Sequence, residues 1–283
     1  MPQRSKRSKA ASARNTERSK MAYPNDTNHN NQNKGLTTKS HIDLDDMKIN
    51  YISIIRGNFS QGDEQFSAES RGVQCSCNAL VMLCKIQTIF NDIKPYHLDN
   101  MLRDGDKLYR DSARKLQACG QLAGNGYFYH DQLPTNVLIR NTSYIINYDE
   151  LKYGTLDKCR ESIFEPLHVE LPMAFTVSER NILILGGSMM ALYKDTTSGR
   201  YLFFDSHSRN ASGFPDSDGT SCAIIFSDID SLVKYLETLV TKMNLDLTNF
   251  AILPVKIIVE QTNTSHIPNL HNQNENSVTT CIT

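Results

Sequence analysis

Residues 72–85 read GVQCSCNALVMLCK. Cys75 and Cys77 stand two apart at the start of an apolar stretch, and Cys84 follows further along it. Downstream of Cys75, Leu80, Leu83, Cys84 and then Gln87 and Phe90 recur at helical spacing, with no breaker before Pro95. The segment is therefore expected to be a helix that Cys75 opens. Three chemistries compete for its cysteines. Metal ligation fails on spacing, because zinc thiolate pairs leave at least two residues between ligands and call on a second pair elsewhere, and neither condition is met. Core packing suits Cys77 and Cys84, since cysteine is among the most buried residue types. Cys75 differs: it follows SRGVQ, and its sulfur would lie at the positive end of a helix dipole, which favours the nucleophilic thiolate. By itself that position leaves core packing open for Cys75 too.

Around this helix the chain reads as an α+β domain. Upstream, KINYISIIRGNF (48–59) alternates apolar and polar residues as a strand does. A second helix is expected over residues 97–119, with Leu98, Met101, Leu102, Leu108 and Leu116 on one face and Gly105 a mild weakness. A short helix is expected near residues 156–166. Then AFTV, NILILG, MMALY, YLFFD and CAIIF form short apolar segments separated by turn residues such as TTSG and PDSDG. DIDSLVKYLETLV returns to helical periodicity with Asp228 as N-cap, and FAILPVKIIVE closes as a strand. Helices followed by a run of antiparallel strands define the α+β class.

The chain has 283 residues, a formal net charge of -1, 39% hydrophobic residues and no Trp. That suffices for one domain of roughly 200 residues plus tails. No apolar run approaches the ~18 residues of a membrane span, so no membrane partner is expected. The basic start has no apolar segment behind it, so no secretory signal is expected there. Residues 1–40 hold nine Lys and Arg against Glu17 and Asp26, a local net of +7, with almost no aliphatic residues. Such a stretch buries too little surface to offset ordering entropy and is expected to be disordered. A solubilising role is the plain reading of its charge; nuclear import or nucleic-acid contact is the alternative. Residues after 260 are similarly polar; His266 and His271 there could catch a metal, but two exposed histidines in a polar tail read as incidental. The expected organisation is a basic tail (1–46), a folded domain (47–260) and a polar tail (261–283). Seven cysteines, an odd number without repeating spacing, fit reduced thiols in the cytoplasm or nucleus.

Partners for Cys75 appear far downstream. YLFFDSHSR (201–209) ends an apolar strand in Asp205, Ser206 and His207. Alternation puts Asp205 and His207 on one face while Ser206 points away. A carboxylate beside a histidine holds the ring and stabilises its imidazolium once it takes a thiol proton. A surface turn with an ion pair is the plain alternative. Upstream of Cys75, Gln61 in FSQGDEQ (59–65) has an amide that could serve a developing oxyanion. Taken alone it is a loop glutamine, with Gln65 and Gln74 the next candidates.

Together these residues resemble the cysteine protease domain at the N-terminus of herpesvirus large tegument proteins and its non-viral relatives, the tegument-like deubiquitinases. The matching positions are Gln61-Gly62-Asp63, then Gln74-Cys75-Ser76-Cys77-Asn78, then Asp205-Ser206-His207, with fourteen residues from Gln61 to Cys75. The resemblance covers about residues 48–258. It implies a papain-like fold, a helical part carrying the nucleophile and an antiparallel sheet carrying the histidine and aspartate. It implies Cys75 as nucleophile, His207 as general base, Asp205 as its orienting acid and Gln61 as oxyanion donor, with Cys77 a rival nucleophile. The activity implied is a cysteine isopeptidase cleaving ubiquitin from proteins or polyubiquitin chains, without cofactor or metal, as a monomer. A protease of a ubiquitin-like modifier such as NEDD8 and a non-catalytic ubiquitin-binding module are the alternatives; nucleic acid is not an expected partner. Viral members usually read Asp-Pro-His where Ser206 stands here, and place the glutamine near the chain start. Those departures, with the chain's length, imply a stand-alone relative.

Overall fold

The helix opened by Cys75 is the centre of the architecture. From Cys75 to Ile86 every residue except Lys85 is buried, so this helix, α1 (Cys75–Ile89), is mostly apolar and buried on all sides over that stretch. A helix of that kind must be enclosed. On one side lies the long helix α2 (Pro95–Ala118), which buries Leu98, Met101, Leu102 and Tyr109 and carries exposed ion pairs such as Lys107–Asp111. On the other lies a sheet. The computed structural model describes residues 49–156, 162–243 and 249–260, so the tails expected at 1–46 and 261–283 lie outside the described residues.

Among the described residues the sheet has ten strands: β1 (Tyr51–Arg56), β2 (Asn136–Ile139), β3 (Thr142–Tyr148), β4 (Lys152–Thr155), β5 (Glu165–Pro166), β6 (Arg180–Leu185), β7 (Ser188–Lys194), β8 (Tyr201–Arg209), β9 (Thr220–Phe226) and β10 (Asn249–Glu260). Their order is β1-β9-β8-β7-β6-β10-β3-β2, with β4 also on β10. All pairings are antiparallel except the short β4–β5 contact. The central strands are covered on both faces. Leu202, Phe204, Ala223 and Ile225 pack with α1 and α2, while Phe203, Cys222, Ile224 and Phe226 pack with α3 (Leu167–Val177) and α4 (Ile229–Met243). Double coverage is why these strands read as continuous apolar runs rather than alternating ones.

Most expected elements stand close to their expected bounds, and Asp228 caps α4 by accepting from the Ser231 amide at 2.8 Å. Two expectations are corrected. AFTV is the end of α3 rather than a strand, and the helix expected at 156–166 is in part the strand β5, with 157–161 outside the described residues. Leu167, Leu171, Ala174 and Phe175 fall on one helical face, but Pro172 interrupts the pattern, and four apolar residues cannot distinguish helix from strand. The β2–β3 hairpin, absent from the sequence reading, turns at Arg140, whose φ of 56 is left-handed without the glycine that usually signals such a turn. Among the described residues no helix is long and apolar enough to cross a membrane.

Candidate active site

The α1 N-terminus, the loop between β1 and α1 and the end of β8 meet at one place. Cys75 is the first residue of α1 and is 1% exposed. Cys77, two residues on, turns elsewhere and packs with Tyr109 and Phe128 under α2. Burial pushes the Cys77 thiol far up, against a weaker downward effect of Ser76, so it stays protonated. Cys84 is likewise pushed up to about 12 by burial, against Arg180 and Lys85.

Strand β8 supplies the charged groups. Its ladder to β9 shifts register between Asp205 and Arg209, which frees the His207 backbone amide to donate to Asp205 Oδ1 at 2.9 Å. The same oxygen lies 2.6 Å from His207 Nδ1. Asp205 Oδ2 accepts from Arg209 Nε at 2.7 Å and from a second guanidinium nitrogen. Asp205 is fully buried and Arg209 nearly so, so one carboxylate is shared by two cations. Burial alone would raise the Asp205 pKa, but Arg209 and then His207 outweigh it and hold the carboxyl well below its ordinary 3.8. Burial alone would lower His207; Asp205 outweighs it, and the hydrogen bond and charge of Cys75 add to the effect, raising the ring to about 10. With Nδ1 on Asp205, the other ring nitrogen is the one left to face Cys75. The His207 side chain remains 25% exposed, so the group is open to solvent on one side.

Gln61 stands across from the end of β8. Its backbone amide donates to the Ser206 carbonyl at 2.8 Å, and its own carbonyl accepts from Gly72 at 3.1 Å. Its side chain is buried: Nε2 donates to the Gly72 carbonyl at 3.0 Å, and Oε1 accepts from Ser206 Oγ at 2.8 Å and Asn78 Nδ2 at 3.3 Å. The loop is fastened to α2 on either side of Gln61. Asp99 accepts from the Asn58 amide at 2.8 Å and from Asn58 Nδ2 at 2.6 Å, and Asp106 accepts from Ser70 Oγ at 2.5 Å.

All four residues singled out in the sequence, Gln61, Cys75, Asp205 and His207, therefore converge. Gln65 does not join them: it is exposed and bonds Asp63. Arg209 and Ser206 were missed as members. The signal for Arg209 was present, since it shares the parity of Asp205 and His207 along β8. Among the described residues no group of three His, Cys, Asp or Glu side chains is placed to hold a metal ion. The arrangement can deliver a cysteine thiol to a carbonyl beside a histidine that exchanges its proton.

The model of a family described as the herpesvirus tegument protein, N-terminal conserved region, matches residues 56–261. No curated protein matches the sequence. A similar solved structure is the ubiquitin-specific protease encoded by murine cytomegalovirus tegument protein M48, in complex with a ubiquitin-based suicide substrate. The two share a TM-score of 0.62 at 17% identity over 75% of this chain and 89% of that one. At that identity the likeness is one of fold, a mixed helix and antiparallel-sheet architecture.

Proposed function

The chain belongs to the herpesvirus tegument protein N-terminal family, and from that premise we propose that it is a cysteine isopeptidase with a papain-like fold that removes ubiquitin from its conjugates. The observation that carries the reading is His207 held between the Asp205 carboxylate and the Cys75 thiol. In this mechanism the proton of Cys75 rests on His207 as an imidazolium, in keeping with the raised pKa of the ring, and the thiolate attacks the carbonyl of the ubiquitin C-terminal glycine. The tetrahedral oxyanion receives a hydrogen bond from Gln61 Nε2. The imidazolium then gives its proton to the leaving amine, forming a thioester, and water activated by His207 hydrolyses it. Asp205 keeps the ring oriented and stabilises its charged form. The chemistry needs no cofactor. The solved relative's ubiquitin-based suicide substrate supports ubiquitin as the modifier.

A ubiquitin probe with an electrophile in place of its final glycine tests the reading. It should label the folded chain at Cys75, and Cys75→Ala should abolish labelling while Cys77→Ser keeps it. An adduct on Cys77 would reassign the nucleophile. Labelling by a NEDD8-derived probe in preference to the ubiquitin probe would reassign the modifier, and no labelling by either would leave the fold as a binding module.

A further inference from the structure

We propose that Ser206 is a positioning residue for Gln61, holding its amide with the oxygen turned inward and the nitrogen left to donate. This rests on the isopeptidase reading, in which Gln61 must present an N–H to the oxyanion. An amide's two ends have nearly the same shape, so its direction is set by the hydrogen bonds around it.

At Gln61 those bonds agree on one direction. The Gly72 carbonyl, which can only accept, lies 3.0 Å from Nε2. Reversing the amide would set two acceptors against each other there. On the far side Oε1 meets two donors, and the Ser206 hydroxyl at 2.8 Å is the closer; Asn78 Nδ2 lies at 3.3 Å. Ser206 is 1% exposed, so a reversed amide would also take away the buried acceptor its hydroxyl now has. Gly72 occupies one of the two N–H groups of Nε2, and the second is the one available to a substrate oxyanion.

The fold explains why Ser206 is the residue that does this. Along β8, Leu202 and Phe204 face α1, and Ser206 continues that side while Asp205 and His207 take the other parity. Pointing away from the aspartate therefore means pointing at the loop that carries Gln61. The Gln61 amide also bonds the Ser206 carbonyl at 2.8 Å, so main chain and side chain hold the same pair. The contact repeats two residues on, where Ser208 Oγ donates to Ser60 Oγ at 3.0 Å.

Two measurements on the full chain test the assignment, with Ser206→Ala as the variant. The first is hydrogen exchange of the Gln61 side-chain amide by nitrogen-15 NMR, the signal being identified by its loss in Gln61→Ala. Ser206→Ala should speed that exchange about tenfold, because the shorter bond to Oε1 is gone, while the α1 backbone amides keep their protection. The second is hydrolysis of a C-terminal ubiquitin fluorophore. Ser206→Ala should lower kcat about tenfold and leave KM within about twofold, since the oxyanion exists only in the transition state. In a Gln61→Ala background the same substitution should cost less than about twofold, because it acts through Gln61. An unmoved Gln61 amide, or an equal kcat loss in both backgrounds, overturns the proposal. If the wild-type chain does not turn over the fluorophore, the isopeptidase reading falls instead, and the exchange measurement still decides whether Ser206 holds Gln61.

Discussion

Asp205 serves two cations, and its two partners make different demands on it. Arg209 is 3% exposed, so its charge is neutralised almost wholly by Asp205, whereas His207 reaches solvent. Removing one partner of a buried ion pair costs about 3–5 kcal/mol because the other charge is stranded. In the proposed mechanism, removing the base costs activity instead. Asp205→Ala and His207→Ala should therefore rank in opposite order on the two scales. His207→Ala should abolish nearly all turnover, and Asp205→Ala should lower it about 10²-fold, since orientation is lost but the base remains. In urea, Asp205→Ala should lose about 3 kcal/mol or more, while His207→Ala leaves the Asp205–Arg209 pair intact and loses less. Steady-state kinetics and denaturation midpoints on both variants check this. The same order on both scales would mean that Asp205 and His207 do not divide the work this way.

Helices α1 and α2 come close at Gly105, where helix propensity taken alone misleads. An added Cβ at Gly105 would lie 2.0 Å from Asn78 Oδ1 and 2.9 Å from the Asn78 Cα. The side-chain atom could move, but the backbone atom cannot without parting the helices. Gly105→Ala gains up to about 1 kcal/mol of helix propensity, against an overpacking cost of about 1–3 kcal/mol. The immovable backbone contact decides for overpacking, and a net loss of about 1–2 kcal/mol is expected as a lowered urea midpoint at unchanged slope. Turnover should fall with it, because Asn78 donates to Gln61 from this same contact. A raised midpoint would show slack between the helices. The glycine read in the sequence as a weak point of α2 is thus the site that lets α1 come close.

At the scale of the whole molecule, the charged cluster makes stability depend on pH in a definite window. Asp205 is held below its ordinary 3.8, so its contribution is fully present above that value and lost as pH falls through the folded value. His207 is raised from 6.5 to about 10, so its contribution is full below 6.5 and lost as pH rises towards about 10. The cluster therefore stabilises the fold most between 3.8 and 6.5. Melting temperatures should fall between about pH 6.5 and about pH 10, and His207→Gln should flatten that slope. A slope unchanged in His207→Gln would place the responsible group elsewhere.

The amino-acid sequence by itself determined the helix opened by Cys75, the strand carrying Asp205 and His207 and the α+β class, and it singled out Gln61, Cys75, Asp205 and His207, which the structure brings together. These follow from short-range causes: side-chain period, caps, turn residues and the spacing of a motif. It misjudged α3 and missed the β2–β3 hairpin, because a proline inside an apolar helix and a left-handed arginine contradict the usual local signals. Only the tertiary structure decided which groups meet. Alternation along β8 sends Ser206 away from Asp205, but the packing of α1 against that face sends it to Gln61. Likewise parity along β8 sets Arg209 on the side of Asp205, but only the folded site shows that it shares the carboxylate with His207, and that Cys77 lies beneath Tyr109 and Phe128 while Cys75 reaches the imidazole. Burial gives these contacts their weight, because a charge or hydrogen bond withdrawn from water counts for far more than the same groups exposed. Burial is a property of the assembled chain, in which residues from loop, helix and sheet enclose one another.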